Sequence, residues 1–195
     1  MTDNRTQLYS LMPPESPLPA PLAFVRHARF RLQADYLAKI TQALEPLTAE
    51  QIWWRPNAAS NSIGNLLLHL AGNIRQWLIA GVGGVSDVRM RAAEFTAAGV
   101  LDKEALLGQL TSTVAEADAV LEALAQQLAS AFEDDAPLQR LIAPQGVPQT
   151  VLDAVFHVVE HFSYHTGQII FIAKQVSGVA LQFYDEQALN RESAR

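Results

Sequence analysis

The chain contains no cysteine. A disulfide framework, a thiolate metal site and a cysteine nucleophile are therefore excluded, and any transition-metal site has to be built from imidazole and carboxylate. Charge is also scarce: 17% of the residues are Asp, Glu, Lys or Arg, against 49% that are hydrophobic. Such a chain is rich in core material and poor in solvated surface, which suits a protein that buries some surface against another copy of itself. There is no excess of positive charge, since 14 Lys and Arg stand against 20 Asp and Glu for a net charge of -6. Nothing in that balance attracts phosphate backbones or anionic lipid, so neither nucleic acid nor a membrane is an expected partner.

The N-terminus lacks the basic start and apolar run of a secretory signal, so a cytoplasmic location is the expectation. No uninterrupted apolar run is long enough to span a bilayer. The most apolar stretch, 151–176, is broken by His157, His161, His165, Asp153, Glu160 and Lys174, as in a helix buried within a protein.

A length of 195 residues fits one domain, because either half alone would sit near the lower size limit for independent folding. Pro13, Pro14, Pro17, Pro19 and Pro21 make the first segment a poor helix or strand former. Residues 1–21 are thus expected to be an extended arm, 22–178 the folded domain, and 179–195 a C-terminal tail.

Within the domain the apolar residues recur at helical spacing. Val25, Ala28, Leu32, Tyr36, Ile40, Leu44 and Leu47 mark a first helix, and Ile63, Leu66, Leu67, Leu70, Ile74, Trp77 and Leu78 a second that starts after Ser60-Asn61-Ser62. Leu106, Leu110, Val114, Ala117, Leu121, Leu124 and Leu128 mark a third. Thr150 and Asp153 form a capping box for a fourth, which stops at Ser177-Gly178. The stretch 83–101 has no sustained period. Four long helices with apolar stripes predict an all-α four-helix bundle, antiparallel or mixed. The fourth is apolar around most of its circumference, so it is expected to be buried on nearly all sides, centrally or along a dimer seam.

Of the five histidines, four fall on two of these helices: His69 on the second, and His157, His161 and His165 on the fourth. Residues four apart share one helix face at about 6 Å, so either His157 with His161 or His161 with His165 can hold one metal, but the outer two are about 12 Å apart along the axis. A metal with an open position commonly takes three protein ligands, and His69, on a polar strip with Ser62, Asn65, Asn73 and Gln76, is the natural third. His157-Val-Val-Glu160-His161 also matches the H-x-x-E-H pattern of inverted zinc proteases, but the surrounding architecture that gives that motif its meaning is missing.

The segment Leu47-Thr-Ala-Glu-Gln-Ile-Trp-Trp-Arg-Pro-Asn57, then Ser62-Ile-Gly-Asn-Leu-Leu-Leu-His-Leu-Ala-Gly-Asn73, and later Val159-Glu-His-Phe-Ser-Tyr-His-Thr-Gly-Gln-Ile169 resemble the DinB-like superfamily of metal-dependent enzymes. The resemblance covers nearly the whole domain but not the arm. It implies an up-down-down-up four-helix bundle, a homodimer, and a zinc- or nickel-type divalent metal held by His69, His161 and His165. His157 then becomes a pocket-lining residue one turn before the pair. His157, Glu160 and Tyr164 are candidate catalytic residues and can form a local hydrogen-bond cluster, or a solvated or dimer-contact face. Asn65 and Asn73, each four residues from His69, are candidates to orient it or to touch a cofactor or substrate. Trp53 and Trp54 edge the pocket or close the core, and Arg89, Arg91 and Glu94-Phe95 are placed to cap the pocket from the long loop.

Three neutral imidazoles leave a divalent metal its full charge, which acidifies bound water or a bound thiol. Two reactions on a small-molecule substrate follow: hydrolysis by activated water, or transfer of an activated low-molecular-weight thiol, which the resemblance favours. The alternative is a non-catalytic, metal-stabilised ligand-binding or stress-response dimer.

Overall fold

The computed structural model describes residues 18–130 and 134–184. The expected arm therefore lies outside the described residues up to position 17, as does the expected tail from 185 onward.

Helix α1 begins at Ala20, within the segment expected to be extended, and runs Ala20–Phe30, through a π-helical stretch Arg31–Leu37, into Ala38–Leu44. Pro21 does not prevent this, because a proline in the first turn removes only an N–H that has no helical partner. A short α2 (Ala49–Trp53) is opened by a capping box between Thr48 and Gln51. α3 spans Ile63–Ile74 and continues as a π-helical stretch Arg75–Val82. α4 (Arg91–Thr96) lies in the stretch that has no sequence period, and α5 is the long helix Lys103–Ser130. A one-turn α6 (Ala136–Gln139), then β1 (Leu141–Ile142) paired antiparallel with β2 (Gln149–Thr150), leads into α7 (Val151–Ser177). α7 starts on the Thr150–Asp153 capping box and ends at Gly178, whose φ of 67° is the left-handed cap that a side chain would disfavour.

The protein is thus mostly helical. α3 packs against α5 and α7, and α1 packs against the same two helices. Between them lies a continuous core that includes Val25, Leu32, Ile40, Leu66, Leu70, Leu110, Leu121, Val158 and Phe162. Trp53 packs on this core and donates its indole N–H to the carbonyl of Leu101, whereas Trp54 is exposed. No helix among the described residues is long and apolar enough to cross a membrane.

Within the single chain α7 is not buried on nearly all sides, so it does not sit centrally. Its inner face, Val151, Ala154, Val155, Val158, Phe162, His165 and Ile169, is buried, but Leu152, Phe156 (56%), Tyr164 and Phe171 (67%) are exposed on the other side. Apolar composition alone does not distinguish a face that meets another helix from one that meets solvent or a second chain.

Candidate metal centre

The centre is set by two helix starts. Ser62 accepts from the Asn65 backbone N–H and Asn65 reaches back to the Ser62 backbone, which fixes the first turn of α3 and places His69 two turns in, facing α7. The Thr150–Asp153 box does the same for α7, which carries His157, His161 and His165 one turn apart.

The structure brings three of these together. His69, His161 and His165 each offer a ring nitrogen within 4.8 Å of the others. Ring centroids are 4.9 Å apart for His69 and His161, 5.1 Å for His69 and His165, and 4.5 Å for His161 and His165. His69 (5% exposed) and His165 (8%) are buried, and His161 is half-buried.

Hydrogen bonds behind the rings determine which nitrogens are free. His165 Nδ1 lies 2.7 Å from Gln168 Oε1, an acceptor only, so Nδ1 carries the proton and Nε2 keeps its lone pair. His69 Nδ1 lies 2.8 Å from Glu94 Oε2, which acts in the same way. His69 Nε2 in turn is 3.0 Å from Nε2 of His161. With Nδ1 of His69 protonated, that short separation requires either a proton supplied by His161 or a cation between the two nitrogens.

Electrostatics favour the neutral form of the two α7 histidines. Burial, reinforced by the neighbouring His165, His69, His157 and Arg89, pushes His161 down to about 3. Burial also lowers His165, partly opposed by its bond to Gln168. For Glu94, burial pushes the carboxyl upward, but the hydrogen bonds from Arg89 and His69 outweigh it and hold the group below its ordinary value. Neutral imidazoles and an ionised outer carboxylate are the protonation states that a divalent cation needs. The three histidines therefore fit a divalent metal ion by the chemistry of the donor set.

The remaining candidates are placed differently. His157 stays outside the triad: its Nε2 accepts from Asn73 Nδ2 at 3.2 Å, and its ring packs 4.2 Å from Trp77 and 5.4 Å from His161. Burial lowers its pKa, so it is a neutral wall of the same seam. Asn73 Oδ1 and Trp77 Nε1 are buried there without a protein partner among the described residues. Glu160 and Tyr164 are exposed, and no hydrogen bond joins them to His157 or to each other among the described residues, which fits the solvated or dimer-contact face and not the hydrogen-bond cluster. The Tyr164 ring instead stands edge-on to His165 at 5.1 Å.

Asn65 is fully buried and its polar atoms are committed: Oδ1 accepts from Ser62 and Arg55, and Nδ2 donates to the carbonyls of Glu94 and Ala97. It anchors α4 and offers nothing further to a cofactor. Phe95 of α4 covers His69 at 4.7 Å, with the Arg91 guanidinium 4.9 Å above the Phe95 ring. Sequence reasoning missed the roles of Gln168 and Trp77. A polar residue three positions after a candidate ligand histidine is a recognisable signal for Gln168; an indole four residues after Asn73 carries none by itself.

Residues 21–184 match a sequence family described as "Protein of unknown function (DUF1572)". No curated protein and no solved structure matches the chain.

Proposed function

The chain belongs to the DUF1572 family of proteins of unknown function, and from that premise we propose that it is a metal-dependent enzyme of the DinB-like type. In this reading residues 22–178 form one up-down-down-up four-helix bundle, and His69, His161 and His165 hold one zinc- or nickel-type divalent cation. The observation that carries it is the set of outer acceptors. Glu94 and Gln168 leave the Nε2 lone pairs of His69 and His165 free within the space that His161 also faces. A cation bound there supplies Lewis acidity and acidifies a coordinated water or thiol. The chain's own residues orient the ligand rings, exclude water with Phe95, and present the neutral His157 and Asn73 along the seam.

Of the two reactions, transfer of a low-molecular-weight thiol to an electrophilic small molecule is the one the DinB-like resemblance supports, with hydrolysis second. Neither Glu160 nor Tyr164 is hydrogen-bonded to the triad among the described residues, and Tyr164 meets it through its ring against His165, so neither is a ready general base. The exposed apolar side of α7, with Phe156 and Phe171, supports a homodimer that covers it.

The test is metal content by plasma mass spectrometry on protein purified without a histidine tag, for the native chain and for a His161→Ala, His165→Ala variant. The expected result is one divalent transition metal per chain, absent from the variant while its helical circular dichroism persists. A native protein that holds no metal even after reconstitution overturns the reading.

A further inference from the structure

A carboxylate buried beside His69 needs a reason, because burying an ionised group is strongly unfavourable unless it is fully paired. Glu94 is buried, and it is paired on every side. Its Oε1 accepts from Arg89 Nε at 2.7 Å, and its Oε2 accepts from both Arg89 Nη2 and His69 Nδ1 at 2.8 Å each. Arg89 Nη1 donates onward to Gln76 Oε1 at 2.9 Å, and the Arg89 side chain is itself buried. The backbone of the same segment is fastened by Asn65 to the carbonyls of Glu94 and Ala97, and by Arg55 to that of Phe95.

Arg89 Nη2 also lies 3.1 Å from His69 Nδ1. A guanidinium only donates, so this contact would be a hydrogen bond only if Nδ1 were bare, and a bare Nδ1 would then face an ionised oxygen at 2.8 Å. Two donors converging on Glu94 Oε2 account for all three distances at once, and leave Nδ1 protonated.

Gly72 supplies the seat. It lies one turn after His69 on α3, and a Cβ built there would overlap Glu94 Oε1 and come within 2.8 Å of Glu94 Cδ. Any side chain at 72 therefore displaces the carboxylate. The atoms in the way belong to the end of a flexible side chain, so the helix itself has no need to move.

We propose that the Arg89–Glu94 pair, seated on Gly72, is the positioning device of this centre: it locks His69 as the Nδ1–H tautomer and aims its Nε2 at His161 and His165. Glu94 and Arg89 are positioning residues, acting on the metal only through His69, and Gly72 acts only through Glu94. The consequence for the metal rests on the metal reading above, whereas the tautomer lock is a property of the metal-free chain.

Long-range proton–nitrogen correlation spectra of the metal-free protein report the His69 tautomer, and competition with a chromogenic chelator reports zinc affinity. Wild type is expected to show the Nδ1–H form. Glu94→Ala and Gly72→Ala are each expected to lose it and to weaken zinc about 10- to 100-fold, the usual cost of losing an outer-shell partner. Glu94→Gln, which keeps an acceptor for Nδ1–H, is expected to keep the tautomer and lie closest to wild type. The Gly72→Ala, Glu94→Ala double variant is expected to bind zinc as Glu94→Ala alone does, because the methyl no longer has a carboxylate to displace. Circular dichroism verifies folding of each.

An unchanged tautomer and wild-type zinc affinity in both single alanine variants overturn the proposal. A wild type that binds no zinc but whose His69 tautomer still depends on Glu94 overturns the metal reading and upholds the lock.

Discussion

Where α1 packs against α5, charge stays at the edge: Arg29 reaches across to Asp118 and Glu122 from partly exposed positions, while Val25, Leu32, Leu110 and Leu121 fill the interior. Where α3 packs against α7, polar groups occupy the interior itself. His69 and His165 are buried, Asn73 and Trp77 leave buried polar atoms without protein partners among the described residues, and a buried ion pair closes one side. The first arrangement is what packing and solvation favour; the second spends stability on aiming lone pairs, and that is reasonable only where something is to be bound.

Phe162 sharpens this contrast, since it sits between His161 and His165 of α7 yet points the other way, stacking on Tyr36 of α1 at 5.8 Å with no exposure. Phe162→Ala is expected to destabilise the chain by about 3–5 kcal/mol in chemical denaturation, the usual cost of deleting a buried phenylalanine. If the polar seam were the main source of stability, the loss would be far smaller.

The next effect is a pH dependence. Folded His161 titrates at about 3, against 6.5 ordinarily. Between those values the unfolded chain binds a proton that the folded chain refuses, so the stabilisation is present above 6.5 and is lost as the pH falls toward 3. Metal-free protein is therefore expected to melt at progressively lower temperature between pH 7 and pH 4. His161→Ala should flatten that dependence, and an equally steep profile in the variant would remove His161 as its source.

Ser62→Ala, which removes the cap that fixes the start of α3, is expected to cost about 1 kcal/mol in denaturant titrations, and to weaken metal binding as well through Asn65 and α4. On the opposite seam Arg29→Ala is expected to cost about 0.2–1 kcal/mol, shrinking at high salt, as for other partly exposed ion pairs. It should leave metal affinity unchanged; a change would mean that the two seams are coupled.

Much of the helical framework was legible because its signals are local. The start after Ser60-Asn61-Ser62, the Thr150–Asp153 capping box and the stop at Ser177-Gly178 mark ends that the structure reproduces. The four-residue spacing of His161 and His165 places them on one face whatever surrounds them. Other features were hidden. α4 is a single short helix whose placement depends on Asn65 and Arg55 reaching it from elsewhere, so no period marks it. The start of α1 at Ala20 escaped because a proline-dense segment reads as a breaker until the position of each proline within a turn is known. Of the two readings open for His157, Glu160 and Tyr164, a hydrogen-bond cluster or a solvated or dimer-contact face, the structure fits the second for Glu160 and Tyr164, for a geometric reason. Glu160 and Tyr164 project to the open side of α7, while His157 turns inward to Asn73 and Trp77.

The sequence by itself determined that the chain is helical, where its long helices run, and that His69, His161 and His165 stand at positions from which they can meet. Those are consequences of period, caps and spacing along one chain. Only the tertiary structure decided which nitrogen of His69 is free, because that depends on Glu94, 25 residues away across an aperiodic loop. It also decided which side of α7 is left open, because burial is a property of what packs alongside a helix, and the helix's own residues do not encode it.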